Sequence, residues 1–200
     1  MSRIAIPTRD EAPAETQPIL DAVQKQLGFT LNIHRLLSIS PAALRGFVGL
    51  QRPLSTTLDI KTRDAIALAV SEADGCDYCV AAHSYVAANF AKMSPTEIAL
   101  NREGRSTDPK RGAAAHLAKM LIETRGKVSD AEMAAIREAG FRDSEIVEIA
   151  ALTAQFLLTN FVNNVAQTEI DFPAIEAERH ATRASWMGAA AMTRFENEGD

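Results

Sequence analysis

Helix-start signals recur along the whole of this 200-residue chain, and strand signals do not. Ser40-Pro41 places a capping hydroxyl before a proline in the first helical turn. Asp59 precedes a long run of alanine and aliphatic residues. Ser94-Pro95-Thr96-Glu97 and Ser129-Asp130-Ala131-Glu132 both have capping-box spacing. Gly28, Gly126 and Gly140 stand where a helix needs a left-handed closing residue. Between these signals good helix formers dominate, and alternation of β-branched residues is scarce. The expected fold class is therefore all-α. Helices are expected from Thr16 to Leu27, Asn32 to Ser38, Ser40 toward Leu54, Asp59 to Glu72, and onward from Cys76 to about Ala91. Others should start at Ser94, run from about Lys110 to Thr124, and follow Ser129, with a polar loop over Asn101 to Pro109. The stretch from Asp143 to about Ala166 is apolar on most faces and is expected to be deeply buried.

With 46% hydrophobic and 24% charged residues, the chain has the composition of an ordinary globular protein, long enough for one substantial core. One domain over residues 1–200 is expected, with a central unit at 59–91 and a more polar C-terminal segment at 173–200 in which Trp186 and Met187 would dock. The net charge of −5 and the lack of a basic cluster argue against a nucleic-acid partner. No apolar run reads as long enough to cross a bilayer, and the first fifteen residues do not resemble a signal peptide, so no membrane partner and a cytoplasmic location are expected. A faint internal echo lays Asp64 to His83 over Glu145 to Asn164 without gaps, which would make 143–166 a degenerate repeat.

Cysteine occurs only twice, three positions apart, as Cys76-Asp77-Tyr78-Cys79. A disulfide framework needs more than this, so the pair reads as redox or metal chemistry. A helix turns about 100° per residue, which puts Cys76, Cys79 and His83 on one face. Cys79 and His83, four apart, are within contact reach. Cys76 falls at a helix start, where unpaired N–H groups favour a thiolate. A thiolate can attack a peroxide oxygen or a disulfide sulfur, a second thiol can resolve the product, and a histidine can carry the proton.

Two acids lie upstream. Asp64 is followed by an almost wholly apolar run and needs a partner or a raised pKa; it is either a proton relay facing the cysteines or a first-turn residue paired with Arg63 or Lys61. Glu72 reads as structural. Cys76, Cys79 and His83, with Asp64 or Glu72, also form a candidate zinc set, although no second Cys or His pair accompanies them. A third alternative makes the cysteines small buried fillers. His34, His116 and His180 are solitary and read as surface or capping residues.

The run from Arg63-Asp64 through Ser71-Glu72-Ala73-Asp74-Gly75-Cys76-Asp77-Tyr78-Cys79-Val80-Ala81-Ala82-His83 resembles the core motif of the alkylhydroperoxidase D-like proteins of the carboxymuconolactone decarboxylase superfamily. Asn32 to Leu44, Asn160 to Asn164 and Thr168 to Pro173 are similar to its peroxidase-related branch. The resemblance implies an all-helical bundle with the cysteine pair at the start of a core helix, assembled into symmetric homo-oligomers. It implies a thiol peroxidase acting on organic hydroperoxides or hydrogen peroxide without a bound cofactor or metal. Cys79 would attack, Cys76 would close the disulfide, and His83 and Asp64 would form the relay. A dihydrolipoyl group on a partner protein is the implied type of reductant. The relay acid of the family is usually glutamate where this chain has Asp64, and Tyr78 stands where well-studied members have histidine. A dithiol–disulfide oxidoreductase or redox sensor, and a zinc-binding protein without catalysis, are the alternatives.

Overall fold

The computed structural model describes residues 2–172; the expected docking of Trp186 and Met187 lies outside them. The described residues form helices α1 (Gln17–Leu27), α2 (Asn32–Ser38), α3 (Pro41–Leu54), α4 (Ile60–Ala73), α5 (Asp77–Asn89), α6 (Pro95–Arg102), α7 (Pro109–Glu123), α8 (Asp130–Glu138) and α9 (Asp143–Ala166), with no strand among them. The expected all-α class is what the described residues adopt. Side-chain caps fall where the sequence placed them: Ser40, Asp59 and Ser129 each accept a backbone N–H from the residue three ahead.

Helix α4 is the axis of the bundle and packs against α5, α6, α7 and α9. Ala65 to Val70 are fully buried, so the helix has no solvent face in its middle. Its alanines allow close approach of α7, where Ala115 meets Ala65 and Ala69. Ile66 and Val70 join Leu117, Ile136, Ile149 and Leu152 in the main core. A second cluster combines α2 and α3 (Ile33, Leu37, Leu44, Phe47) with Cys76, Tyr78 and Cys79.

Two expectations are corrected. α9 is not deeply buried: Val147 (68% exposed), Phe161 (53%) and Val165 (64%) form an apolar stripe on its outer side. By length and composition alone this 24-residue helix is long and apolar enough to cross a membrane, contrary to the sequence reading, although its other face packs on α3, α4 and α7. Asp64 to His83 forms two helices broken at Gly75, and Glu145 to Asn164 lies within one continuous helix.

Candidate functional site

Gly75 makes the site possible. Its φ of +65° closes α4 and redirects the chain, and the Cys76 N–H returns to the Ser71 carbonyl at 3.0 Å. Cys76 is therefore the N-cap of α5, and its sulfur accepts the Cys79 N–H at 3.3 Å. Cys79 follows one turn in, with His83 another turn beyond on the same helix. Both cysteines are free thiols, and Cys76 is wholly buried.

Three asparagines on α9 secure this junction. Asn160 Nδ2 donates to the Val70 carbonyl at 3.4 Å, and Asn164 Nδ2 donates to the Asp74 carboxylate at 3.1 Å. Asn163 Nδ2 donates to the Cys79 sulfur at 3.3 Å. On the other flank, the Tyr78 hydroxyl accepts the Ile33 N–H at 3.3 Å and feels the charge of Asp171. Asp171 also accepts the Asn32 N–H at 2.8 Å, supplying α2 with the cap that Leu31 cannot give. Burial, followed by the Asp171 charge, pushes the Tyr78 hydroxyl well above its ordinary pKa.

Cys79, His83 and Asp64 line one cavity of about 740 Å³, walled by Leu31, Ile33, Phe47 and Phe156 among others. Cys76 is not on its surface. Burial, followed by the adjacent Cys76 sulfur, holds the Cys79 thiol well above its ordinary pKa, while Asn163 and Thr159 pull it down. His83 lies edge-on to Phe156, with ring centroids 5.1 Å apart, and burial pushes it down to about 4. Asp64 is buried with Oδ2 unpartnered; burial raises it to about 7, against the Arg63 charge and with help from Asp59. Asp64 thus faces the same cavity as Cys79 with Oδ2 unpaired, and Arg63, whose guanidinium donates to the Leu58 carbonyl, acts on it only through its charge.

Glu72 forms a 2.7 Å ion pair with Arg102. Among the described residues, no group of three or more His, Cys, Asp or Glu side chains is placed to hold a metal ion. His34 departs from expectation: it is a buried residue of the cavity wall and neither a surface nor a capping residue. Asn163, Thr159 and His34 were not singled out in the sequence as parts of the site. The only local hint was three asparagines in five positions of an otherwise apolar helix, which is costly unless each finds a partner.

Residues 41–123, which include both cysteines, His83 and Asp64, match the carboxymuconolactone decarboxylase family. This stretch belongs to that family. The described residues have the alkylhydroperoxidase D-like fold. It is similar to an alkylhydroperoxidase D core, an uncharacterised peroxidase-related protein from Ralstonia eutropha, with 27% identity, a TM-score of 0.77, and coverage of 85% of this chain and 92% of that one. A peroxidase-related protein from a Silicibacter species is 23% identical, with a TM-score of 0.74 over 84% of this chain and 91% of that one. The debrominase Bmp8, in complex with 2,3,4-tribromopyrrole, shares the fold at 20% identity and a TM-score of 0.71, over 86% and 94% of the two chains. No curated protein matches the chain.

Proposed function

We propose that this carboxymuconolactone decarboxylase-family protein is a thiol-dependent peroxidase that reduces organic hydroperoxides through a Cys76–Cys79 dithiol–disulfide cycle. The observation that carries the reading is the placement of the two sulfurs: Cys79 faces a large apolar cavity and Cys76 lies behind it, sealed from that cavity. The Cys79 thiol gives its proton to His83, which is uncharged at neutral pH, and the sulfur attacks the terminal hydroperoxide oxygen. The S–O bond forms, the O–O bond breaks, and the departing alkoxide takes a proton to become the alcohol. Cys76 then attacks the Cys79 sulfenic sulfur, the disulfide forms and water leaves. An external dithiol, of the dihydrolipoyl type that the resemblance implies, reduces the disulfide. Asp64, which lines the same cavity and is raised by burial to about 7, serves as a second base for the Cys79 proton. The assembly implied by the resemblance is a homo-oligomer, and the exposed stripe of α9 is the surface that a second copy would cover.

The test is a thiol count before and after one equivalent of cumene hydroperoxide. Loss of both thiols, with alcohol formed stoichiometrically, is expected. Cys79→Ser should abolish consumption, and Cys76→Ser should stop at a sulfenic acid that a dimedone-type reagent traps. Peroxide turnover at the parent rate in Cys79→Ser would overturn the assignment. Inert thiols toward every hydroperoxide, combined with a reversible Cys76–Cys79 disulfide, would favour the dithiol–disulfide oxidoreductase reading.

A further inference from the structure

The proton-handling groups do not use every polar atom of the cavity. His34, on α2, is 7% exposed, and its ring is tilted against Phe47 with centroids 6.0 Å apart. It lines the cavity that Cys79 faces, and its Nδ1 is buried without a hydrogen-bonding partner. A buried polar atom left unpaired costs about 1–3 kcal/mol, a penalty that a ligand able to pair with it would remove. Burial pushes this imidazole down to about 4, against the Asp171 charge, so at neutral pH the ring is uncharged. A neutral imidazole is matched by a hydroxyl or a carbonyl and gives little to a carboxylate. The neighbouring wall is apolar, from Leu31, Ile33, Phe47 and Val48. A simple alkyl hydroperoxide would engage Cys79, His83 and Asp64 and leave the His34 nitrogen unpaired.

We infer that the cavity is built for a bulky apolar hydroperoxide carrying a second, uncharged hydrogen-bonding group, and that His34 is the side chain that receives this group. The inference rests on the peroxidase reading and makes His34 a specificity-determining residue of it. A volume of about 740 Å³ is ample for such a molecule, since small-molecule pockets span roughly 300–1,000 Å³.

The experiment pairs ligands that differ by one hydroxyl. Cumyl alcohol and its para-hydroxyisopropyl derivative are unreactive, and their Kd values are read by calorimetry on wild-type protein, His34→Leu and His34→Gln. The wild type should bind the diol tighter than the mono-alcohol by roughly 3- to 10-fold, the worth of one hydrogen bond. His34→Leu should lose that preference, and His34→Gln, which keeps a hydrogen-bonding atom, should retain part of it. The corresponding hydroperoxides should show the same preference in KM, with kcat little changed. Equal affinity of wild type for the two alcohols, or an undiminished preference in His34→Leu, overturns the inference. If His34→Leu does not fold, His34→Phe keeps a ring against Phe47 and replaces it, and the wild-type comparison is decisive by itself. Because the alcohols do not react, failure of the wild type to consume either hydroperoxide would sink the peroxidase reading, while the binding data would still decide the role of His34.

Discussion

Asp64 carries its carboxyl at the head of a segment whose next six residues are fully buried. Its pKa of about 7 in the folded protein exceeds the unfolded value of 3.8, so between these values the folded state binds more proton than the unfolded one. Stability from this group is full below about pH 4 and falls as pH rises through 7. Asp64→Asn should therefore stabilise the protein at pH 8, by up to about 4 kcal/mol, and change little at pH 4, as denaturant midpoints at the two pH values would show. Peroxide reduction should rise with pH through about 7 as the carboxylate forms, and this inflection should vanish in Asp64→Asn. An unchanged pH–rate profile would remove Asp64 from the relay. Asn163 acts on the other side of the sulfur. Asn163→Leu removes a donor that favours the thiolate, and iodoacetamide labelling of Cys79 should slow by about 10-fold, since hydrogen bonds to charged groups are worth about 1.5–3 kcal/mol. Cys79, His83 and Asp64 could be named as neighbours from the sequence because they lie on two consecutive helices within one short stretch, 64–83, and share one pattern with Cys76. Asn163 and His34 were not, because each reaches the site from a separate helix and only tertiary packing brings them there.

At the scale of elements, the caps announced the helices, and the chain used one of them differently. Ser94 caps α6 through the Glu97 N–H, but the Glu97 carboxylate does not return to Ser94. It receives the Ser106 hydroxyl, the Thr107 N–H and hydroxyl, and the Arg111 guanidinium at 3.1 Å, tying α6 to the start of α7. Burial works to raise the Glu97 pKa, yet these donors overcome it and hold the carboxyl at about 2. Glu97→Gln should cost about 3–5 kcal/mol at pH 7, the range for breaking a buried pair, and urea denaturation would measure it. The stabilisation is present above the ordinary glutamate pKa of 4.5 and is lost as pH falls through 2, so the variant's deficit should shrink in strong acid. A capping box and a long-range clamp have the same four-residue signature, and only the position of Arg111 decides between them. Helix α9 gives a similar lesson. Its apolar composition was plain, but composition does not say which side meets the core.

For the whole molecule, the outer stripe of α9 is the largest departure from what the sequence suggested. Val147, Leu158, Phe161 and Val165 recur at helical spacing on one exposed side, with Phe161 and Val165 opposite the asparagines that hold the site. Light scattering after size exclusion should find an oligomer, and Leu158→Lys combined with Phe161→Glu should shift it toward monomer while leaving the helical circular dichroism intact. A monomeric parent protein would rule out self-association through α9. The general architecture was readable because caps and propensity act locally. Which apolar face would stay exposed was not, since a buried face and an exposed apolar face have the same residue types.

The chain from Glu169 to Phe172 gives the cavity a seam. It holds α2 through Asp171 and the Glu169 carbonyl, which accepts from the Asn32 side chain at 2.8 Å, and meets α5 where Phe172 packs against Tyr78 and Tyr85. The opposite side of the site is fastened by buried asparagines on a continuous helix, so the two sides should open at different rates. Amide hydrogen exchange at Asn32 and Ile33 should be faster than along Ala65 to Val70. The rate at which a bulky maleimide reaches Cys79 should follow the opening of that seam, and Asp171→Asn should accelerate both together. Access to the sulfur would then be timed by breathing at the chain's edge, and a ligand that fills the cavity would slow the clock.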